Sequence, residues 1–347
     1  MKPALFYSDK LMLYGFGPQH PFRPEHFREF MDYLRETGRI ALFDIIEPRR
    51  ASDEDLLSAH TENYLNALKE MADARGFISP DTPVSPPLIE GGRYIAGSAM
   101  DAVDRVLRMG GNAITLGGLH HAGPDYGEGF CIINDVAIAA IRAIKKGVER
   151  ILILDTDAHQ GNGTMDIFWE DPRVLFISIH QDPRTLYPGR GFTREIGGGE
   201  GEGYTVNIPM ARYSGDSQYM KVFDEIIVPI AEQFKPDLII RNGGADPHYS
   251  DALTDLGVTL KGLFMIGEKV RELSKGRPII DMVVSGYNPV TVQGWYAIVS
   301  GSNNLPWMKE KEPEKSMPSW VSEEKLDIFV DDVIRSLKER LSYWWDF

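Results

Sequence analysis

The sequence predicts an α/β protein built on a single parallel β-sheet with helices on both faces. Apolar segments of strand length alternate with amphipathic helical segments through most of the 347 residues, which is the pattern of a parallel sheet covered by helices. Polar or small residues follow each predicted strand at once, as expected where loops at the carboxyl ends of strands form a ligand site. With 43% hydrophobic residues, the chain can bury a sizeable core.

Five short apolar segments are predicted as strands: NAITLGG, RILILDT, RVLFISI, DLIIRNG and PIIDMVV. Two segments between them have helical periodicity: NDVAIAAIRAIKKGVER, which ends in cations, and SQYMKVFDEIIVPIAEQF. We expect one domain over residues 1–347. Within it, 303–320 is predicted as an exposed connection rich in proline and charge, and 322–345 as a closing C-terminal helix.

The charge balance limits the classes of ligand. A net charge of -14 argues against direct nucleic-acid binding, because such binding depends on Lys and Arg that neutralise phosphates. An acidic surface attracts cationic substrates such as polyamines or basic peptide tails, while solubility alone also accounts for such a charge, and both interpretations stay open. No apolar run of membrane-spanning length occurs, so no membrane association is expected.

The cysteine content and the first residues bear on the compartment. Cys131 is the one cysteine, so there is no internal disulfide framework, which agrees with a reducing compartment. The opening MKPALFYSDKLMLYGFG lacks the basic, apolar and small-residue regions of a secretory signal. We therefore expect a cytoplasmic protein.

Histidines and acids concentrate after the predicted strands. Five of the eight histidines lie in or just beyond these junctions: His120, His121, His159, His180 and His248. In the segment ILILDTDAHQGNG, Asp155, Asp157 and His159 occupy alternate positions, where the side chains of a strand share one face. On its own, this motif also fits a helix N-cap next to a core histidine.

The set that best suits a divalent metal such as zinc is Asp157, His159 and Asp246. Two carboxylates and one imidazole leave a coordination position open for water. Asp246 follows a different strand, after an NGGA turn that has no bulky side chain. A metal held in this way lowers the pKa of its water to about 7 and polarises a carbonyl group, which together indicate a hydrolase.

Six segments resemble the zinc-dependent histone deacetylase superfamily, which includes acetoin-utilisation deacetylases and acetylpolyamine amidohydrolases. They are GGLHHAGPDYGEGFCIINDVAIAA, ILDTDAHQGNGT, ISIHQDPRTLYPGRG, GEGEGYTVNIP, GGADPH and VVSGYN. The similarity reaches back to YGFGPQHPFRPEHF, so it covers roughly residues 10–300. Six segments in the family's order are far more specific than any one of them. The resemblance implies an arginase/deacetylase-like three-layer α/β/α fold.

The resemblance also implies the catalytic roles. Asp157, His159 and Asp246 would hold one zinc ion. His120 and His121 would lie beside the water that the metal activates, with His121 acting as general base and then as the acid that protonates the leaving amine. A tyrosine at position 287, Tyr287, would donate its hydroxyl to the substrate carbonyl as negative charge develops there.

Two further positions would act on the histidine pair. Asp155 would hold the tautomer and orientation of His120. Asn162 stands where some members have an aspartate that partners the second histidine. Because an amide carries no charge, His121 is expected to become protonated less readily, which suits a neutral resting base.

Substrate and ion contacts are implied as well. The family has a narrow tunnel for an acetylated aliphatic amine, and its two aromatic walls match Phe130 and Tyr187, with Gly129 beside them. Glu90 falls near the acid at the rim that receives the substrate backbone. The family often binds structural potassium, here through the segment of Asp155, Asp157 and His159 and through a serine that matches Ser178.

Two rival interpretations remain. A dinuclear manganese ureohydrolase of the arginase type also has an Asp-Ala-His segment after a strand. The two metals of such an enzyme require a further carboxylate two residues after the histidine and another two residues after the second aspartate. This chain has Gly161 and His248 at those two positions. A non-catalytic binder of acetylated ligands is the other rival, and the presence of Tyr287 and of both tandem histidines argues against it. We therefore predict a metal-dependent deacetylase that acts on acetyl-lysine, acetylpolyamines or small acylated metabolites.

Overall fold

Parallel β-strands alternate with α-helices along the chain in this computed structural model, which describes residues 1–347. The ten strands are β1 (Ala4–Phe6), β2 (Asp44–Ile46), β3 (Phe77–Ser79), β4 (Thr82–Pro83), β5 (Ala113–Thr115), β6 (Ile151–Asp155), β7 (Val174–Gln181), β8 (Thr205–Met210), β9 (Leu238–Asn242) and β10 (Ile279–Met282). The eleven α-helices are α1 (Glu25–Glu36), α2 (Asp53–Leu56), α3 (Glu62–Asp73), α4 (Pro86–Met109), α5 (Asp135–Lys145), α6 (Asn162–Ile167), α7 (Asp216–Val222), α8 (Val228–Phe234), α9 (Leu260–Ser274), α10 (Thr291–Asn303) and α11 (Glu323–Leu341).

Two units, each with its own set of internal contacts, make up the chain. The first consists of Met1–Val148, Gly161–Ile167 and Ile280–Val284. The second consists of Glu149–Gln160, Phe168–Ile279 and Ser285–Phe347. Each unit is assembled from separate stretches of sequence. The expectation of one domain over residues 1–347 stays a prediction.

The first unit contains four parallel strands in the order β2-β1-β5-β10. Leu5 pairs with Ile45 on one side and with Ile114 on the other, and Ile114 also pairs with Asp281. The strands β3 and β4 form a separate small antiparallel hairpin. The strands β1 and β2, of three residues each, were not predicted from the sequence.

The second unit contains four parallel strands in the order β9-β6-β7-β8. In the middle of β6, Ile153 pairs with Phe176 on one side and Ile240 on the other. Every residue of these four strands is buried. Parallel strands that are covered on both faces have continuous apolar sequences, which explains the run Ile151–Leu154. The five predicted strands are confirmed as β5, β6, β7, β9 and β10.

One predicted helix is interrupted. The segment 217–234 is helical, but residues Phe223–Ile227 form a π-helical turn between α7 and α8. Pro229 has no backbone N–H to donate to the carbonyl four residues earlier, and a local widening of the helix accommodates such a loss. The other predicted helix, α5, begins after Asn134, whose side chain accepts a hydrogen bond from Ala137 N, and ends at Lys145.

The C-terminal part packs through a connection and one long helix. Residues 305–318 adopt neither helix nor strand. Lys315 Nζ nevertheless donates to Gly257 O at 2.8 Å, so a hydrogen bond holds the connection against another loop of the second unit. Ser322 caps α11, which buries Val330, Leu337 and other apolar side chains. No helix in the structure is both long enough and apolar enough to span a membrane.

Candidate metal centre and active site

Asp157, His159 and Asp246 come together in the second unit. His159 Nδ1 lies 3.2 Å from Asp157 Oδ1 and 3.1 Å from Asp246 Oδ2. One potential ligand atom from each residue lies within 4.8 Å of the others. Asp157 and Asp246 are buried, and the side chain of His159 is 13% exposed. The three residues therefore have the donor types and the spacing of a site for one divalent cation.

Backbone and side-chain hydrogen bonds fix the two carboxylates. His159 N donates to Asp157 Oδ1 at 2.9 Å, and Ala158 N donates to Asp246 Oδ2 at 3.2 Å. Ser285 Oγ donates to the other oxygen of Asp246 at 2.8 Å. Each carboxylate is therefore oriented by groups outside the ligand set, as is usual at metal sites.

A glycine permits the close approach of the two loops. Gly243 has φ +115° and follows β9 directly. A Cβ atom at this position would lie 2.5 Å from Asp157 N, which is a steric clash. The NGGA turn that the sequence singled out is therefore required by the backbone geometry between β9 and Asp246.

The three candidate ligands shift one another's pKa values. Burial opposes a charge on His159, but the hydrogen bonds and charges of Asp157 and Asp246 raise the pKa of this imidazole to about 10. Burial and the neighbouring charge of Asp157 raise the pKa of Asp246 well above its usual range. Two buried acids that repel each other, with an imidazole between them, fit a divalent cation, because the cation supplies the missing positive charge.

Tyr287 lies on a loop that is tied to the segment after Asp246. Tyr287 N donates to Asp251 Oδ2 at 2.7 Å, and Ala252 N donates to Tyr287 O at 3.2 Å. Asn288 Nδ2 reaches both Ala245 O and Asp251 Oδ2, at 2.9 and 3.0 Å. These contacts fix the backbone that carries the Tyr287 side chain, which is half-buried.

The tandem histidines are buried in the first unit, with ring centroids 4.2 Å apart. His121 Nδ1 lies 2.7 Å from Asn162 Oδ1. Asn134 Nδ2 donates to Ala122 O at 2.9 Å and to His120 O at 3.4 Å, so the cap of α5 also holds the histidine loop. The predicted pairing of the second histidine with Asn162 is present in the geometry.

Two buried ionisable residues hydrogen-bond to the backbone of this loop. Asp135 accepts hydrogen bonds from Gly118 N and Leu119 N, and burial raises its pKa to about 6. His60 Nδ1 lies 2.8 Å from Gly123 O, and its Nε2 accepts from Asn134 N at 3.0 Å. Burial lowers the pKa of His60 to about 4, so this imidazole is neutral.

A tight turn presents Phe130 in the first unit. Glu128 N donates to Cys131 O at 3.2 Å, and Cys131 N donates to Glu128 O at 2.8 Å. Gly129 and Phe130 between them have φ values of +55° and +66°. This combination is typical of a type I′ turn, and for Phe130 the left-handed conformation is held by the hydrogen bond from Tyr14 OH to Phe130 O at 2.7 Å.

The other residues expected around the substrate lie in different settings. The Tyr187 ring is 39% exposed, and its centroid lies 6.5 Å from that of His159. Glu90 lies on α4, and both of its carboxylate oxygens accept hydrogen bonds from Arg50, at 2.7 to 3.0 Å. The rim role of Glu90 stays a prediction, and a substrate backbone would have to compete with this ion pair.

Asp155 and Ser178 are adjacent on the paired strands β6 and β7. Asp155 Oδ1 accepts from Asp157 N and from Asn242 Nδ2, each at 3.3 Å. Ser178 Oγ lies 2.9 Å from His180 Nδ1. The strand register thus places Asp155 beside Ser178, and the potassium ion, its full set of residues and the role of Asp155 toward His120 stay predictions.

Two histidines whose roles the sequence left open have structural partners. His248 Nε2 lies 3.1 Å from Glu312 Oε1, which also accepts from Leu260 N at 2.6 Å. His248 therefore joins its loop to the C-terminal connection. His26 is buried on α1, with Nε2 3.7 Å from Glu29 Oε2, and burial lowers its pKa.

The residues that support the site were not predicted from the sequence. They are His60, Glu128, Asn134, Asp135, Asp251 and Ser285. Four of them lie inside the family-like segments: Glu128, Asn134 and Asp135 in GEGFCIINDVA, and Ser285 in VVSGYN. Polar residues within an otherwise apolar segment were the available signal, since a buried polar side chain requires a hydrogen-bond partner.

The fold is that of an α/β protein, the three ligand candidates form a candidate metal site, and comparisons with known proteins specify the family. The family model of the histone deacetylase domain matches residues 20–301. A probable deacetylase of Archaeoglobus fulgidus is 36% identical over 99% of both chains. The acetoin utilization protein AcuC of Staphylococcus aureus strain MRSA252 is 38% identical, with 79% of this chain and 73% of that protein covered.

A solved structure agrees with these sequence matches. The HDA15 HD domain superposes with a TM-score of 0.87 at 26% identity, covering 99% of this chain and 96% of that one. The chain belongs to the histone deacetylase family. It is a hydrolytic deacetylase with the parallel, helix-flanked sheet of that family, as the sequence predicted.

Proposed function

We propose that this deacetylase is a zinc-dependent amidohydrolase that releases acetate from acetylated amines, such as acetyl-lysine or acetylpolyamines. The observation that carries the proposal is the buried set of Asp157, His159 and Asp246, whose ligand atoms lie within 4.8 Å of one another. Zinc bound there would polarise the acetyl carbonyl and make water nucleophilic at neutral pH. The set provides one imidazole and two carboxylates for a single ion, in agreement with a mononuclear site.

The histidines would move the proton. His121 directs Nδ1 toward Asn162 Oδ1, so in the neutral ring Nε2 is the basic nitrogen. His121 Nε2 would accept the proton of the attacking water and then deliver it to the nitrogen of the leaving amine. His120 would contribute hydrogen bonding and charge beside it, and Asp155 would orient His120.

Other residues would hold the substrate and the transition state. Tyr287 would donate its hydroxyl to the carbonyl oxygen as that oxygen becomes negative. Phe130 and Tyr187 would line the tunnel for the aliphatic chain, with Gly129 in the turn that presents Phe130. Glu90 would meet the substrate at the rim. Potassium at the segment of Asp155 and Ser178 would support the loop that carries the metal ligands.

The partner would be an acetylated amine: an acetyl-lysine peptide, an acetylpolyamine or a small acylated metabolite. A net charge of -14 favours the approach of polyamines and of basic peptide tails. Cys131 is the one cysteine, so the chain forms no internal disulfide, which supports a cytoplasmic location.

The test is a substrate panel with zinc-loaded protein. Acetyl-lysine peptides, acetylated polyamines and longer acyl-lysine peptides are assayed for release of the free acid, with a hydroxamate inhibitor as control. We expect release from at least one acetylated amine, inhibition by the hydroxamate, and loss of zinc and activity together in Asp157→Ala. Zinc retention without acid release from any substrate would instead support a non-catalytic binder.

A further inference from the structure

The amide of Asn162 has a hydrogen-bond partner at both ends. Its Oδ1 lies 2.7 Å from His121 Nδ1. Its Nδ2 donates to Glu128 Oε1 at 2.6 Å and to Tyr126 OH at 3.2 Å. Tyr126 OH in turn donates to Asp166 Oδ2 at 2.6 Å. The whole network belongs to the first unit.

These contacts determine which way the amide points. An ionised carboxylate only accepts hydrogen bonds, so Glu128 requires the NH₂ group of Asn162. The hydroxyl hydrogen of Tyr126 is directed to Asp166, so this hydroxyl also accepts from Asn162. A flip of the amide would place Oδ1 2.6 Å from a carboxylate oxygen, which is electrostatically unfavourable.

The direction of the amide then determines the tautomer of His121. An amide oxygen only accepts, so the imidazole must donate from Nδ1. In a neutral ring the basic nitrogen is then Nε2. Without Glu128, the amide of Asn162 could take either orientation, and each orientation selects one tautomer of His121. With Oδ1 facing the ring, Nδ1 is protonated, whereas a flipped amide donates to an unprotonated Nδ1.

We propose that Glu128 is a positioning residue, which holds the Asn162 amide so that His121 presents Nε2 as the base. The inference rests on the proposed role of His121 in amide hydrolysis and adds a residue to it. An Asn162 amide alone could turn either its oxygen or its NH₂ group toward His121. Glu128 accepts a hydrogen bond from the NH₂ group and thereby keeps the oxygen facing His121.

The backbone of Glu128 makes its side chain a clean target. Its N–H and C=O close the turn with Cys131, and those two hydrogen bonds do not involve the side chain. The side chain is half-buried, so a substitution does not open a core cavity. Replacement of the Glu128 side chain therefore tests its contact with Asn162 and leaves the turn that carries Phe130 intact.

The experiment is a charge swap analysed as a double-mutant cycle. Asn162→Asp places a carboxylate against Glu128. Glu128→Gln replaces a group that only accepts with an amide that can accept or donate, so the orientation of the Asn162 amide is no longer fixed. We expect each single variant to lower kcat by about 10- to 100-fold, with a much smaller change in KM. The double variant N162D/E128Q restores one donor and one acceptor at the contact, and its kcat should recover to within about threefold of the wild type.

Two controls accompany the cycle. Asp125→Asn removes an exposed acid from the same loop, and we expect unchanged kcat and KM. Zinc content is measured in every variant and should be unchanged, since none of the exchanged residues belongs to the metal set.

A second readout does not depend on catalysis. Nitrogen-15 NMR of labelled histidine distinguishes a protonated from an unprotonated ring nitrogen, and the His121→Asn spectrum identifies the His121 signal. We expect Nδ1–H in the wild type and a mixture of tautomers in Glu128→Ala. The inference would be overturned if the losses in kcat of the two single variants multiply in the double variant and the His121 tautomer is unchanged in Glu128→Ala. A tautomer that depends on Glu128 in a protein that hydrolyses no acetylated amine would support the positioning role and refute the proposed function.

Discussion

Ser285 Oγ donates a hydrogen bond of 2.8 Å to Asp246 Oδ1, and Ser285 Oγ itself accepts a hydrogen bond from Gly244 N at 2.8 Å. The two bonds join the loop after β10 to the loop after β9. Asp246 thereby keeps one oxygen engaged with Ser285 and turns the other, Oδ2, toward His159. A small hydroxyl residue thus orients the metal ligand that arrives from the second loop.

Ser285→Ala is expected to weaken zinc binding by about 10- to 100-fold, because Asp246 loses the donor that orients it. The affinity is measured by competition with a chelator of known strength. Ser336→Ala on α11 serves as the control for the loss of a serine hydroxyl away from the site. Equal zinc affinity in Ser285→Ala and the wild type would show that Asp246 does not need this hydrogen bond.

Gly243→Ala is expected to abolish zinc binding or folding. The added Cβ would lie 2.5 Å from Asp157 N, in a backbone conformation with φ +115°. Gly147 has φ +91° and open space around it, so Gly147→Ala is the matched control for backbone strain alone, which costs about 1 kcal/mol. Zinc binding and thermal unfolding are measured for both. Similar behaviour of the two variants would contradict the steric requirement at Gly243.

Tyr287→Phe is expected to lower kcat by about 10²- to 10³-fold and to leave zinc content intact, because the variant loses only the proposed hydroxyl donor to the oxyanion. Steady-state kinetics and metal analysis provide the measurement. Tyr343→Phe, at a tyrosine that is 87% exposed, is the control. A rate unchanged by Tyr287→Phe would remove this hydroxyl from the mechanism.

His60 is expected to make the protein sensitive to acid. Burial lowers its pKa from 6.5 to about 4, so the unfolded state binds the proton more readily than the folded state. The stability that neutral His60 provides is present above about pH 6.5 and is lost as the pH falls toward 4. Between pH 7 and pH 5, the loss in free energy of unfolding from this group is about 2 kcal/mol.

His60→Gln keeps a donor for Gly123 O and an acceptor for Asn134 N but cannot titrate. Urea unfolding of the wild type and the variant at pH 7 and pH 5 gives the comparison. Between pH 7 and pH 5, the free energy of unfolding should fall by about 2 kcal/mol less in the variant than in the wild type. The same loss in both proteins would mean that His60 is not the group responsible.

The metal set could be predicted because its residues follow strands directly. The apolar run of β6 ends at Asp155, and alternation then brings Asp157 and His159 to the same end of the strand. The glycines before Asp246 were a second local signal, and the backbone conformation at position 243 does require a glycine. Patterns within ten residues of a strand thus contained most of the information on the ligands.

The supporting network could not be predicted in the same way, because it depends on contacts between distant segments. Asn162 meets Glu128, 34 positions away, and Asn134 meets His60, 74 positions away. Such pairs leave no periodic signal in one sequence.

An anomalous difference map, recorded at the zinc absorption edge from a crystal of zinc-loaded protein, locates the metal. We expect one strong peak at about 2.0 to 2.2 Å from His159 Nδ1 and from an oxygen of each of Asp157 and Asp246. A crystal in which zinc is bound by other residues, while these three side chains lie apart from any ion, would contradict this expectation.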